Sequence, residues 1–374
     1  MLRRFSQSLL AALILLATAN LYAGKVIRKA VLGNPEIKSI NVISFAPEGV
    51  LLIGDGRGGQ IVALETGDTK NAGGEFKTLA NIDKQLAARV GAPDKGVEII
   101  DMAVNPASGV AYIAARKQDD KSSIVFTVSP NGKIGLFDIT SAPHVRVKLG
   151  SDKANVSLIT DVAWAGSQIV AAARSNETFS SKIFSITAPL SQETTGHAFS
   201  AETYHVSHGR WETKAPMSAL IPIKENDATY IVGAFSCTPV VKYRIDAIKP
   251  GATVKGSSMI ELGSGNRPLD MFVYEKNGKP FVLANTFRFH HSRKPFGPSP
   301  YWTVKFQQGL LVGDESVNDK AVRRLKGGYQ PATDKIELVE AYHGVMQMDL
   351  LGNTHSLAVR DTGKGLDLVA IPLP

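Results

Sequence analysis

A pattern of about 60 residues recurs along this chain, and it limits the folds available more than any other feature. Each copy opens with an apolar, a polar and an apolar residue. A short strand and a turn follow, then a very apolar strand. The first copy is Ile40-Asn41-Val42, a turn at Pro47-Glu48-Gly49, then Val50-Leu51-Leu52-Ile53. The second is Ile100-Asp101-Met102, a turn at Asn105 to Gly109, then Val110-Ala111-Tyr112-Ile113. Later copies begin at Thr160-Asp161-Val162, Met217-Ser218-Ala219, Leu269-Asp270-Met271 and Met346-Gln347-Met348. Strand-forming residues flank Asn, Gly, Pro or Asp clusters in each pair, so each reads as a hairpin. A third strand follows most pairs, for example Ile124 to Val128 or Val240 to Arg244, and a weaker fourth follows that.

Four antiparallel strands per repeat is the unit of a β-propeller blade. The predicted fold is therefore all-β: one six-bladed propeller domain over residues 24–374. The last copy supplies three strands, and Val26 to Leu32 is a strand without a place. Closure is expected from that N-terminal strand joining the last blade, which removes exposed sheet edges. Asp270 and Gln347 are 77 residues apart, against 52 to 60 elsewhere, so a seventh blade near residues 301–340 is the alternative count. Asn81 to Val90 is the best helix, in a connection between blades.

Residues 1–23 stand outside this pattern. Arg3 and Arg4 precede the apolar stretch Leu9 to Ala19, and Ala23 offers a small residue at a cleavage point. This reads as a secretory signal, giving a periplasmic or extracellular protein with no transmembrane anchor in the mature chain. Its removal lowers the net charge from +8 to +6. That charge either maintains solubility or favours anionic partners. The single cysteine, Cys237, excludes an intrachain disulfide and reads as a small buried filler.

The repeat puts Asn41, Asp101, Asp161, Ser218, Asp270 and Gln347 at one point of each innermost strand, as a ring near one mouth of the channel. The ends of the second strands overlook it, with Arg116, Arg174 and Asn285 among their residues. Two readings stay open. The Asp side chains accept backbone N–H groups and fix the blade starts. Alternatively, Asp101, Asp161 and Asp270 hold Ca²⁺ or another divalent cation, because converging carboxylates repel unless a cation compensates. The loop Asn285 to Trp302 interleaves Arg288, His290, Arg293 and Lys294 with Phe287, Phe289, Tyr301 and Trp302, a mixture suited to a sugar or an anionic ligand. His205 to Trp211 shows no metal-ligand spacing of its own. A nucleophile elbow, a P-loop, a zinc-protease helix motif and a dinucleotide fingerprint are all missing.

The repeats and ring resemble the NHL and SMP-30/gluconolactonase-like propellers. Phe235-Ser236-Cys237-Thr238-Pro239 and Asn266-Arg267-Pro268-Leu269-Asp270-Met271 resemble a group of uncharacterised exported bacterial β-propeller proteins, over most of residues 157–374. The first resemblance implies a metal-dependent lactonase with Glu, Asn and Asp around a divalent ion. The ring here has no Glu. The expectation is therefore a monomeric, non-catalytic propeller binding a small molecule, an anionic glycan or a protein at the mouth, with no nucleic-acid partner. A lactonase-type hydrolase is the alternative.

Overall fold

The computed structural model describes residues 25–374 except 151–155, 226, 248, 296, 314–316, 319 and 328–329. The proposed signal segment lies outside the described residues.

The second strand of each hairpin is apolar through its middle because both its faces are covered there. In Val50–Asp55, Leu52 packs into one apolar cluster while Leu51 and Ile53 pack into another. A strand exposing neither face needs no polar alternation. Gly54 sits where two sheets approach most closely: a Cβ there would lie 2.6 Å from Val42 and 2.7 Å from Ile159.

The strands form antiparallel units in a propeller-like, all-β arrangement. The first unit is Val42–Ala46, Val50–Asp55, Gln60–Glu65 and His144–Lys148. The second is Val97–Val104, Ala111–Lys117, Ser123–Val128 and Ile134–Phe137. The third (Val156–Trp164, Gln168–Ser175, Ser181–Thr187, His197–His205) and the fourth (Met217–Glu225, Ala228–Phe235, Pro239–Arg244, Thr253–Glu261) are one continuous sheet. Their outer strands pair in parallel from Ser200–Thr253 to Thr203–Gly256. The fifth is Asn266–Lys276, Lys279–Arg288, Tyr301–Gln307 and Ile336–Leu338, and the sixth is Val345–Leu351, His355–Asp361 and Leu366–Pro372.

Around the axis the units do not follow chain order. Their innermost strands pack in the cycle first, third, fourth, fifth, sixth, second, and back to the first. An apolar cluster fills each joint, for example Val42, Leu52 and Ile159 between first and third, and Tyr274, Leu283 and Met348 between fifth and sixth. The first unit waits for its fourth strand until the chain has built the second.

Three expectations are corrected. The N-terminal strand does not join the last unit. Ile27 bridges Leu190 and Val31 bridges His144, because Val26 and Ile27 bury in the seam with Val145, Val147 and Leu190. The sixth unit is bordered instead by Leu79, which exchanges two 2.9 Å backbone hydrogen bonds with Leu368. Residues 301–340 make no further four-stranded unit among the described residues, only a separate two-stranded sheet of Leu325–Gly327 and Gln330–Pro331. The stretch otherwise supplies the third and fourth strands of the fifth, and between these Val322–Arg323 crosses to pair with Ile260 and Glu261 of the fourth. Cys237 is half-buried rather than buried. The expected helix spans Ile82–Arg89 and buries Ile82 and Leu86 against Leu357 and Leu368. Among the described residues no helix is long and apolar enough to cross a membrane.

Candidate functional site

The innermost strands surround a central cavity of about 630 Å³. Most of them break register where the cavity begins. The extra residues are Ile100 in the second unit, Thr160 in the third, Ser218 in the fourth, Leu269 and Asp270 in the fifth and Met346 in the sixth. A bulge bends its strand and re-aims the neighbouring side chains. Here it turns carboxylates sideways, onto the next strand around the axis.

Each carboxylate clasps its neighbour. Asp101 Oδ2 accepts the Ile43 N–H at 2.7 Å, and its Oδ1 accepts that of Met102 at 2.9 Å. Asp161 accepts from Leu220 at 2.6 Å and Val162 at 2.7 Å. Asp270 accepts from Met348 at 2.9 Å. Sequence reasoning missed a fourth: Asp349 accepts from Val104 and Leu350, each at 2.7 Å. Its signal was a spacing of two from Gln347, which puts both on one face of a strand. Four joints are clasped in this way: second to first, third to fourth, fifth to sixth and sixth to second.

Burial pushes these carboxyl groups up. Asp101 rises to about 8, against the opposing pull of the Ile43 and Met102 N–H groups. Asp161 rises to about 7 and Asp349 to about 6, again with burial as the main cause. Asp270 lies well above the ordinary carboxylate range, through burial and then the neighbouring Asp101 charge.

The other predicted ring residues divide. Asn41, Ser218 and Gln347 line the cavity. Asn41 Oδ1 accepts the Gly56 N–H at 2.8 Å, and Ser218 bonds Ser236 at 2.6 Å. Gln347 Nε2 donates to the Ile100 carbonyl at 3.2 Å, while its Oε1 and the buried Thr160 Oγ1 in the same wall have no partner within the protein. Arg174 reaches the cavity and is exposed. Arg116 does not; it pairs with Glu98 at 2.6 Å on the exterior. Asn285 is fully buried and ties the fifth unit to the sixth. It accepts from Asp270 N at 2.7 Å and donates to the carbonyls of Val345 and Met346 at 3.0 and 3.1 Å. Arg288 is buried against the Trp302 ring, 4.2 Å from its centroid, and His290 is exposed in the turn beyond. Neither lines the cavity. Phe289 of the same loop does, and so does Arg267, which the sequence reading did not assign to the site; its guanidinium lies 5.4 Å from the Phe289 ring centroid.

Among the described residues the carboxyl oxygens of Asp101, Asp161 and Asp270 do not gather within 4.8 Å of one another. They point along the circumference to backbone N–H groups instead of inward to a shared centre. The arrangement has a frame of stapled carboxyls, two unpartnered polar atoms in the wall, Arg267 beside the exposed Phe289 ring, and exposed Arg174 elsewhere in the lining.

No protein-family model matches the chain, and no curated protein matches it. Among solved structures, the pyrroloquinoline-quinone-bound aldose sugar dehydrogenase of Streptomyces coelicolor is similar at 13% identity and a TM-score of 0.33, over 92% of this chain and 97% of that one. A GH43B protein of a Bacteroides ovatus xyloglucan locus is similar at 10% identity and a TM-score of 0.35, over 73% of this chain and 52% of that one.

Proposed function

We propose that the chain is an exported, monomeric six-bladed propeller that captures an anionic sugar or short anionic glycan in its central cavity and does not transform it. The observation that carries this reading is the composition of the cavity: Arg174, Arg267 and exposed Phe289 around about 630 Å³, a volume within the usual range for small-ligand sites. Guanidinium groups match carboxylates bidentately, and a sugar ring lies well on an aromatic face. Thr160 Oγ1 and Gln347 Oε1 supply hydroxyl-directed partners below. A framing role for the aspartates favours binding over catalysis, since each is engaged by backbone N–H groups.

Calorimetry with short oligogalacturonides and with neutral galacto-oligosaccharides tests this. The acidic set binds, more weakly at high salt, and Arg267→Ala costs about tenfold in affinity. Equal binding of the neutral set, unchanged affinity in the double variant Arg174→Ala, Arg267→Ala, or release of cleaved product would each overturn the proposal.

A further inference from the structure

The hairpin turn after the third unit brings together three potential ligands that the sequence keeps apart. His205 ends the strand His197–His205, which pairs with the short strand Arg210–Glu212. His208 stands in the turn between them, closed by a His208 N–H to His205 carbonyl bond of 3.1 Å and by Gly209 at φ +61°. The two imidazole rings lie with centroids 4.0 Å apart. Cys237 comes from the fourth unit, in the turn between Ala228–Phe235 and Pro239–Arg244. The ligand atoms of His205, His208 and Cys237 all lie within 4.8 Å of one another.

A second observation says what the cluster is for. His205 is 2% exposed, and its Nε2, 3.1 Å from Glu261 Oε2, donates to that carboxylate, which leaves Nδ1 as the nitrogen an ion can take in exchange for a proton. That buried Nδ1 has no hydrogen-bond partner. A metal-bound imidazole nearly always hands its other N–H to a carboxylate, a backbone carbonyl or water, which fixes both tautomer and ring orientation. Glu261 is itself 2% exposed and holds both arms of the cluster. It accepts from Ser207 N at 3.4 Å on the His208 side and from Thr238 Oγ1 at 3.5 Å on the Cys237 side.

We propose that His205, His208 and Cys237 form a binding site for a thiophilic transition ion, Zn²⁺ or Cu⁺. Thiolate with imidazole suits these ions and not the oxygen-seeking Ca²⁺ or Mg²⁺. Tetrahedral Zn²⁺ needs its ligand atoms roughly 3.3–3.7 Å apart. Exposed His208 and half-buried Cys237 are free to draw in that far, while His205 is the fixed member. Exposure of His208 gives the ion its way in.

The purified chain, reduced and stripped with chelator, is dialysed against ZnCl₂ or, anaerobically, against Cu⁺, and assayed for bound metal. A parallel sample takes CoCl₂ as a spectroscopic probe. One equivalent of Zn²⁺ or Cu⁺ per chain is expected. The Co²⁺ form is expected to show a thiolate-to-cobalt charge-transfer band that Cys237→Ser removes. His208→Ala, at an exposed turn position, with its fold checked by circular dichroism, lowers affinity by about tenfold or more. The site is disproved if neither ion binds stoichiometrically, or if both variants bind as the parent does. It is also disproved if iodoacetamide alkylates Cys237 at one rate with and without Zn²⁺, since the cluster would then be a metal-free thiol–imidazole pair.

Discussion

Asn285 shows how much one side chain does in the frame. Its amide satisfies one N–H and two carbonyls across the joint of the fifth and sixth units, with none of its surface exposed. Asn285→Ala leaves these groups without partners in a site too tight for easy repair. The expected loss is about 3 kcal/mol, read as a lower urea midpoint at unchanged slope; a loss within error of zero refutes the clasp. The sequence placed Asn285 correctly on the ladder but assigned it to a ligand. Residue spacing fixes a side chain's height on its strand, not which neighbouring strand comes within reach. For the same reason Asp101, Asp161 and Asp270 were legible as a set, while their direction along the circumference was not. Bulges at Ile100 and Thr160 set that direction, and neither residue type announces a bulge.

At the scale of elements, the hairpins were legible because their information is local. Alternation, turn residues and apolar second strands lie within some 20 residues of one another. The order of the units was not, because the connection from Thr66 to Gly96 has no period to reveal that the chain crosses to the far side of the first unit before building the second. The N-terminal segment misled in the same way: Val26 to Leu32 reads as a strand, yet only isolated bridges form, and apolar burial decides its place. Its worth is testable. Ile27 is 6% exposed among Val145, Val147 and Leu190, so Ile27→Ala is expected to cost about 2–4 kcal/mol. A thermal scan in which Ile27→Ala melts with the parent would show that the segment merely lies on the surface. In that case the joint of the first and third units would hold without it.

For the whole molecule, closing the ring draws four carboxyl groups into one enclosed space, and the closure carries a pH dependence. Asp101, Asp161 and Asp349 rise to about 8, 7 and 6, with burial the principal cause, and burial pushes Asp270 well above the ordinary carboxylate range too. In the unfolded chain each titrates near about 3.9. Between those values the folded chain holds more protons than the unfolded one, so stability falls as pH rises. The acids that shift the other way, Glu98, Asp120, Asp138 and Glu212, have largely finished titrating by about pH 5.5, while His205, raised to about 9, loses its proton later in the folded chain than in the unfolded one and adds a slope of the same sign. The melting temperature is therefore expected to drop by several degrees from pH 5.5 to pH 8.5. Asp101→Asn separates this effect from any other titration. The amide keeps one acceptor for the Ile43 and Met102 N–H groups and turns an NH₂ toward the other, so the variant is weaker at pH 5.5, where the acid is neutral. At pH 8.5 it has no charge to bury and loses less. The two curves should converge as pH rises; parallel curves would mean that Asp101 does not titrate in this window and that the cavity keeps its carboxylates as well hydrated as bulk water does.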